Sequence, residues 1–212
     1  MDASVYKRPN KPKRVIVKDR SRSAPCALPE LPELITVDSA TECHVTPPGV
    51  ADSMVDYLME PSRYSGDVLT LEPHGGTGNL VQALYNADQS PIELVIIERY
   101  LGLCQAMRER FPGERYKGGV DPLHVCFLEY AETAQRMVTF PRIIMNPPFK
   151  QAKRHVNAAL SLLGRGGHDF PACLVALVPV TYQHDEAETL ETLPNDTFAS
   201  AKVYTKIVRF LR

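Results

Sequence analysis

The sequence predicts an α/β fold in which helices flank a doubly wound, mostly parallel sheet. Short apolar runs alternate with amphipathic segments along most of the 212 residues, as is typical of strand–helix repeats. One apolar run ends in a glycine-rich segment, residues 75–78, and another ends in two prolines, Pro147 and Pro148. Open α/β sheets bind their ligands outside the carboxyl ends of strands. We therefore expect a single domain over residues 36–212 with one ligand site, preceded by an arm over residues 1–35.

The composition is that of a globular protein from a reducing compartment. Hydrophobic residues make up 44% of the chain and charged residues 23%, and no apolar run is long enough to cross a membrane. The five cysteines form no C-x-x-C pair, so we interpret them as reduced thiols, and the six histidines lack metal-ligand spacing. We expect no metal. A cytoplasmic location is predicted, since no apolar segment follows the basic N-terminus.

The first 22 residues are strongly basic. They contain eight Lys or Arg and two Asp, a net charge of +6, which leaves −7 on the remainder of a chain whose total is −1. Because residues 1–35 are also rich in Pro and Ser, we expect an arm with little regular structure. A basic arm on an acidic body indicates contact with nucleic acid. A solubilising tail is an equally good interpretation.

Predicted elements of the domain follow the alternation of apolar and polar residues. A helix is expected to begin at Thr46 or Pro48 and to end at Met59, since proline is tolerated in a first helical turn. The acidic segment 183–198 is expected to be a loop, and the alternating segment 202–211 a last strand at the sheet edge. Further strands are predicted over residues 68–71, 94–97, 124–128, 142–145 and 173–180, and further helices over residues 79–85, 99–111 and 150–163.

The segment 72–78, Glu-Pro-His-Gly-Gly-Thr-Gly, joins a predicted strand to a helix. Such a loop allows the backbone to approach a ligand closely. Val81 stands where a dinucleotide fingerprint has its third glycine, and no Gly-Lys-Ser/Thr is present, which excludes a P-loop. Glu98 follows Gly78 by 20 residues, at the end of the next strand, where an acid can accept both ribose hydroxyls of a nucleoside. The alternative is an ordinary glutamate at a helix start.

Asn146 ends an apolar run and is followed by Pro147, Pro148 and Phe149. The prolines lack N–H groups and cannot continue a strand, so the chain must leave the sheet here. The Asn146 side-chain oxygen and the Pro147 carbonyl can accept the two hydrogens of an NH2 group, which directs its nitrogen lone pair. Phe149 offers a flat face to a planar base or amide. The alternative is a plain turn between strand and helix.

In their order these segments resemble the class I S-adenosylmethionine-dependent methyltransferases, which have a Rossmann-like fold. Among these, the chain is most similar to gamma-type enzymes that methylate N6 of adenine in DNA. Residues 146–149 resemble the catalytic motif, residues 72–78 the cofactor loop, and residues 46–48 (Thr-Pro-Pro) the segment that lines the methionine end of the cofactor. The resemblance covers residues 44–180 and implies S-adenosylmethionine as cofactor and DNA as partner, held by the basic arm and the cleft beside Asn146.

The resemblance also implies roles for individual residues. Cys126 stands where the family often has Asp, so contact with the cofactor's adenine would fall to the backbone or to Phe127. No separate recognition domain is evident, so loops, the arm or a protein partner are expected to recognise the target. RNA adenine, a protein glutamine amide, or a non-catalytic regulator of anti-restriction type are the alternatives. The implied catalytic residues are Asn146, Pro147, Pro148 and Phe149, and the implied cofactor contacts are Thr46, Pro47, Glu72, Pro73, His74, Gly75, Gly76, Gly78, Glu98, Cys126, Phe127 and Asn146.

Overall fold

A seven-stranded sheet with helices on both faces forms the domain. The computed structural model describes residues 13–16, 34–37, 44–60, 68–113, 119–198 and 203–212. The strands of the sheet are β3 (Thr70–Glu72), β4 (Leu94–Glu98), β5 (Leu123–His124), β6 (Arg142–Met145), β7 (Cys173–Pro179), β8 (Glu188–Leu193) and β9 (Thr205–Leu211). The helices are α1 (Pro48–Met59), α2 (Asn79–Asn86), α3 (Leu101–Arg110), α4 (Phe127–Ala134) and α5 (Ala152–Leu162).

The sheet has the strand order β5-β4-β3-β6-β7-β9-β8. The first five strands pair in parallel, and β9 pairs antiparallel with both β7 and β8. This confirms the predicted doubly wound, mostly parallel α/β fold. Because β3 and β6 are neighbours, the loops that follow them emerge side by side at one edge of the sheet.

Alternate residues of the central strands pack against different helices. Ile143 and Met145 belong to the core cluster that contains α4 and α5, whereas Ile144 belongs to the cluster that contains α1 and α2. Successive side chains of a strand point to opposite faces, so a strand covered on both sides must be apolar throughout. The fully buried run from Cys173 to Val178 meets that requirement.

Three predicted elements were wrong. Residues 124–128 do not form a strand: β5 ends at His124, Cys126 is the N-cap residue of α4, and this helix was not predicted. The acidic segment 183–198 is not a loop throughout, since it contains β8. Strand β9 is not at the edge, because β8 covers its outer side.

Two short strands pair antiparallel: β1 (Lys13–Ile16) lies in the arm, and β2 (Leu34–Val37) crosses its predicted boundary at residue 35. The prediction of little regular structure missed this pair. The other residues of the arm lie outside the described residues, and the division into arm and domain stays a prediction. Within the described part of the chain, no helix is both long and apolar enough to cross a membrane.

Candidate active site

A pocket of about 410 Å³ lies at the edge of the sheet where β3, β4, β5 and β6 end. This volume is within the range typical of small-molecule sites. The pocket is formed by the loops that follow the carboxyl ends of the parallel strands, as expected for an open α/β sheet. Of the residues singled out in the sequence, it is lined by Thr46, Pro73, His74, Gly75, Gly76, Glu98, Cys126, Phe127, Asn146 and Pro148.

Five of the predicted site residues do not line the pocket: Pro47, Glu72, Gly78, Pro147 and Phe149. Glu72 is completely buried, and its carboxylate accepts a hydrogen bond from the His74 N–H at 3.2 Å. Burial raises the pKa of the Glu72 carboxyl well above its usual range, and the nearby Glu98 raises it further. Glu72 therefore stabilises the glycine-rich loop through the His74 N–H and does not face the pocket.

The glycine-rich loop makes a tight turn at the start of α2. The Gly75 N–H donates to the Ile97 carbonyl, and the Gly78 N–H donates back to the Gly75 carbonyl, both at 2.9 Å. Gly76 and Gly78 have positive φ angles of 53° and 80°, which L side chains rarely adopt. A Cβ on Gly78 would also lie 2.8 Å from Cε2 of Phe111. The turn and its packing thus require glycine at residue 78.

Glu98 connects the end of β4 to this loop. Its Oε2 accepts a hydrogen bond from the Gly76 N–H and its Oε1 from the Tyr100 N–H, each at 2.8 Å. The side chain is only 6% exposed, and burial raises its pKa, while these backbone donors act in the opposite direction. Each carboxylate oxygen has more than one acceptor direction, so both can accept a further hydroxyl from a ligand in the pocket.

Asn146 is held in one orientation by two acceptors. Its Nδ2 donates to the His44 carbonyl and to Oγ1 of Thr46, both at 2.9 Å. A carbonyl only accepts, so the contact with His44 requires the amide nitrogen on that side. The Oδ1 atom is buried and has no hydrogen-bond partner among the described residues. A buried acceptor without a partner is costly, and because Asn146 lines the pocket, a donor on a bound ligand could satisfy this one.

A chain of polar contacts anchors the segment before α1 to the glycine-rich loop. The Thr46 carbonyl accepts a hydrogen bond from Asn79 Nδ2 at 2.8 Å. The buried guanidinium of Arg110 in turn donates to Oδ1 of Asn79 at 3.0 Å and to the Thr77 carbonyl at 2.7 Å. Arg110 thereby links the end of α3 directly to the glycine-rich loop and, through Asn79, to the segment before α1. The sequence analysis did not single out Asn79 or Arg110, since neither belongs to a recognisable motif.

Comparison with known proteins gives the fold. No protein-family model matches the chain, and no curated protein matches it in sequence. Among solved structures, the dimethyladenosine transferase from Plasmodium falciparum matches with a TM-score of 0.55 and 15% identity, over 79% of this chain and 62% of its own. PH1948 from Pyrococcus horikoshii, a candidate RNA methyltransferase, matches with a TM-score of 0.56 and 16% identity, over 81% of this chain and 88% of its own.

A third match is the magnesium protoporphyrin IX methyltransferase ChlM from Synechocystis PCC 6803, solved with bound S-adenosylmethionine. Its TM-score is 0.52 and its identity 17%, over 78% of this chain and 79% of its own. The chain has the fold of the class I S-adenosylmethionine-dependent methyltransferases. These proteins are named for different substrates, so the methyltransferase fold does not by itself specify the substrate.

The methyltransferase fold also brings together two histidines that the sequence does not pair. Nε2 of His74, in the glycine-rich loop, lies 2.7 Å from Nδ1 of His155 on α5, so one of these nitrogens must donate and the other accept. Burial lowers the pKa of both, that of His155 to about 4 with help from Arg154 and Arg99. The pair is therefore neutral near pH 7. Among the described residues, no three side chains of His, Cys, Asp or Glu are grouped as metal ligands.

Proposed function

We propose that the protein transfers the methyl group of S-adenosylmethionine to the N6 amine of adenine in DNA. One observation carries the proposal: the amide of Asn146 is fixed through its nitrogen, and its buried oxygen has no hydrogen-bond partner among the described residues. A fixed acceptor without a partner can receive a hydrogen bond from an NH2 group and so orient that group. Pro147, whose carbonyl is the second acceptor in this proposal, follows directly.

The pocket residues fit the proposed cofactor. S-adenosylmethionine carries a ribose with two hydroxyls, and Glu98 presents a buried carboxylate to the pocket beside the glycine-rich loop. Cys126 and Phe127 line the same pocket at the start of α4, where an adenine ring would pack on Phe127. Thr46 lies at the other side, next to Asn146. In this arrangement Glu98, Phe127 and Thr46 would hold the ribose, the adenine and the methionine end respectively.

Orientation and removal of water are the tasks of the chain's own residues in this reaction. When bound, the cofactor would supply an electrophilic methyl group: the carbon–sulfur bond would break as the carbon–nitrogen bond forms, the sulfide would leave as S-adenosylhomocysteine, and the nitrogen would lose one hydrogen as a proton to solvent. Oδ1 of Asn146 and the Pro147 carbonyl accept the two amine hydrogens, so the nitrogen lone pair points in a fixed direction. Holding a reactant in one geometry replaces a large entropic part of the barrier. Since an adenine inside a duplex is unreachable, the target must leave the stack.

Substitution of Asn146 tests the proposal. Labelled S-adenosylmethionine is incubated with DNA, RNA or protein, and the products are digested and analysed for N6-methyladenine. Asn146→Ala should lower transfer by roughly 100-fold or more, the range found when one stabilising group at a reacting centre is removed. Cofactor affinity measured by calorimetry should stay within about ten-fold, since Asn146 acts mainly on the amine.

Asn157→Ala is the matched control, because Asn157 is an exposed asparagine on α5 and should transfer at the wild-type rate. Undiminished transfer by Asn146→Ala would refute the catalytic role of Asn146. Label recovered only in protein would refute the proposal that the substrate is a nucleic acid.

RNA is the second candidate substrate. Two of the solved proteins that share the fold are a dimethyladenosine transferase and a candidate RNA methyltransferase. The chemistry at Asn146 would be the same, since the amine of adenine is identical in both nucleic acids. N6-methyladenine formed in RNA and not in DNA would favour this candidate over the first.

A further inference from the structure

His44 contacts both ends of the segment 146–149. Its carbonyl accepts a hydrogen bond from Nδ2 of Asn146 at 2.9 Å. Its imidazole ring stacks on the Phe149 ring, with a centroid distance of 4.5 Å and an angle of 15° between the planes. The ring of Phe198 packs edge-on against both, at 5.8 Å from each. One residue therefore connects the amide of Asn146 to the aromatic ring three positions further on.

The stacked His44 ring covers the face of Phe149 on which a base was expected to stack. A nearly parallel ring at 4.5 Å is the position that a planar base would need in order to stack on Phe149. That face is already covered by His44, and the edge of Phe198 packs against the cluster as well. His44 lines the pocket, together with Asn146, whereas Phe149 does not. The motif at residues 146–149 predicts the stacking face on Phe149, and no motif in the sequence points to His44.

We propose that the target base stacks on the ring of His44, with Phe149 behind it as support. The inference rests on the proposed function, because it concerns the base whose amine Asn146 would orient. The imidazole is planar and aromatic, and stacking of a base on such a ring is sequence-tolerant. Because the His44 carbonyl also holds Asn146, the stacking surface and the amine acceptor would be fixed relative to each other.

Binding of adenosine tests this assignment, because its base carries the N6 amine and presents a flat face. Adenosine is titrated by calorimetry into protein saturated with S-adenosylhomocysteine. His44→Ala should weaken binding by roughly 5- to 150-fold, which corresponds to the loss of one base stack. His44→Phe should retain binding, because it restores an aromatic face. Urea unfolding of each variant separates a loss of base stacking from a loss of folding.

Two further variants make the result specific. His168→Ala is the matched control, since the His168 ring stacks on Phe170 at 4.7 Å and does not line the pocket, and its binding should equal that of the wild type. Phe149→Leu keeps an apolar support behind His44 and should lose less affinity than His44→Ala. Equal or tighter binding by His44→Ala would overturn the inference, because His44 would then only occupy the place of the base. A larger loss in Phe149→Leu would overturn it too.

Methyl transfer by each variant is measured on the same nucleic acid. If the wild type makes no N6-methyladenine, the proposed function fails. If the wild type makes it and His44→Ala is unimpaired in both assays, only the inference about His44 fails.

Discussion

Oγ1 of Thr46 accepts a hydrogen bond from Nδ2 of Asn146 at 2.9 Å, so the segment before α1 orients an amide at the end of β6. The same residue accepts a second bond through its carbonyl, from Asn79 at the start of α2. Thr46 is buried and lines the pocket. It therefore connects the amide of Asn146 to the first turn of the helix that follows the glycine-rich loop.

Thr46→Val should slow methyl transfer by roughly 2- to 10-fold, because it removes one acceptor that orients Asn146 and one hydrogen bond contributes about 0.5–1.5 kcal/mol. The rate is measured in a single turnover at saturating cofactor. Thr46→Ser keeps the hydroxyl and should transfer at nearly the wild-type rate. Equal rates for Thr46→Val and the wild type would mean that the His44 carbonyl alone is sufficient to orient the amide.

Glu98→Ala should weaken binding of S-adenosylmethionine by at least about ten-fold, since a hydrogen bond to a charged acceptor contributes roughly 1.5–3 kcal/mol. Glu98→Gln retains one oxygen acceptor and should bind with intermediate affinity. Glu109→Ala, at an exposed position of α3, is the control. Calorimetry gives all four affinities. If Glu98→Ala binds as the wild type does, Glu98 serves only to hold Gly76 and Tyr100, and its ribose role is refuted.

Gly78→Ala should lower the free energy of unfolding by about 1–3 kcal/mol, since residue 78 has a φ of 80° and a Cβ there would lie 2.8 Å from Phe111. Gly49→Ala is the contrasting substitution. Gly49 lies in α1 and a Cβ there meets nothing within 4 Å, so alanine should be neutral or stabilising by up to about 1 kcal/mol. Urea unfolding measures both. Equal stability of the two variants would contradict the steric explanation.

Acid should destabilise the protein partly through His155. Its pKa is about 4 when folded and about 6.5 when unfolded, so the unfolded chain binds more protons between these values. Stability contributed by the neutral ring is thus present above about pH 6.5 and is lost as the pH falls towards 4. Burial is the largest cause of the lowered pKa of His155, and the charges of Arg154 and Arg99 lower it further.

His155→Gln measures this contribution, because it removes the titrating group and leaves an amide beside His74. Urea midpoints are compared at pH 7.5 and pH 5. The wild type should lose more stability on acidification than the variant. Glu72 has a raised pKa, so its effect has the opposite sign, with stability falling as the pH rises above its unfolded value near 4.5. Glu72 is present in both proteins, so the difference reports His155 together with its effect on the pKa of His74; equal losses would exclude this pair as the origin.

Local pattern predicted most of the parallel sheet, and it failed where a strand is polar or an apolar run is short. The buried strands β6 and β7 are continuous apolar runs bounded by proline or glycine, so the sequence located them to within a residue. Strand β8 reads Glu-Thr-Leu-Glu-Thr-Leu and is mostly polar. It forms because β9, the next strand along the chain, offers it an edge to pair with. The segment 124–128 is a short apolar run, which periodicity alone cannot assign to strand or helix.

The candidate site likewise contains residues that motifs predict and residues that only the packing of separate elements reveals. The motifs and the family resemblance together predicted ten of the residues that line the pocket, and the ends of parallel strands meet there by topology. Neither could predict what His44 does, since His44 and Asn146 are 102 residues apart along the chain and no motif surrounds His44. The contact of His74 with His155 was missed for the same reason. Their roles depend on side-chain packing between separate elements, which leaves no periodic pattern in the sequence.

The last prediction concerns the charge of the arm. Residues 1–22 have a net charge of +6 and the remainder −7, so the domain alone should be repelled by a polyanion. If DNA is the substrate, the arm supplies attraction by releasing counterions from the phosphates. Because β1 lies within the arm, substitution is preferable to deletion. The six basic residues outside β1 are to be replaced by Gln: Lys7, Arg8, Lys11, Lys18, Arg20 and Arg22.

This variant should bind DNA more weakly, and the slope of its logarithmic affinity against logarithmic salt concentration should fall by up to about 5, since each neutralised phosphate contributes about 0.9. Fluorescence anisotropy at several salt concentrations measures both quantities. Affinity for S-adenosylmethionine should be unchanged, because the pocket is lined by residues outside the arm. Contacts to phosphate position a duplex without reading its sequence, so the loss should be the same for different DNA sequences. An unchanged affinity and salt slope would make the arm a solubilising tail and would move the proposed DNA contact to the domain.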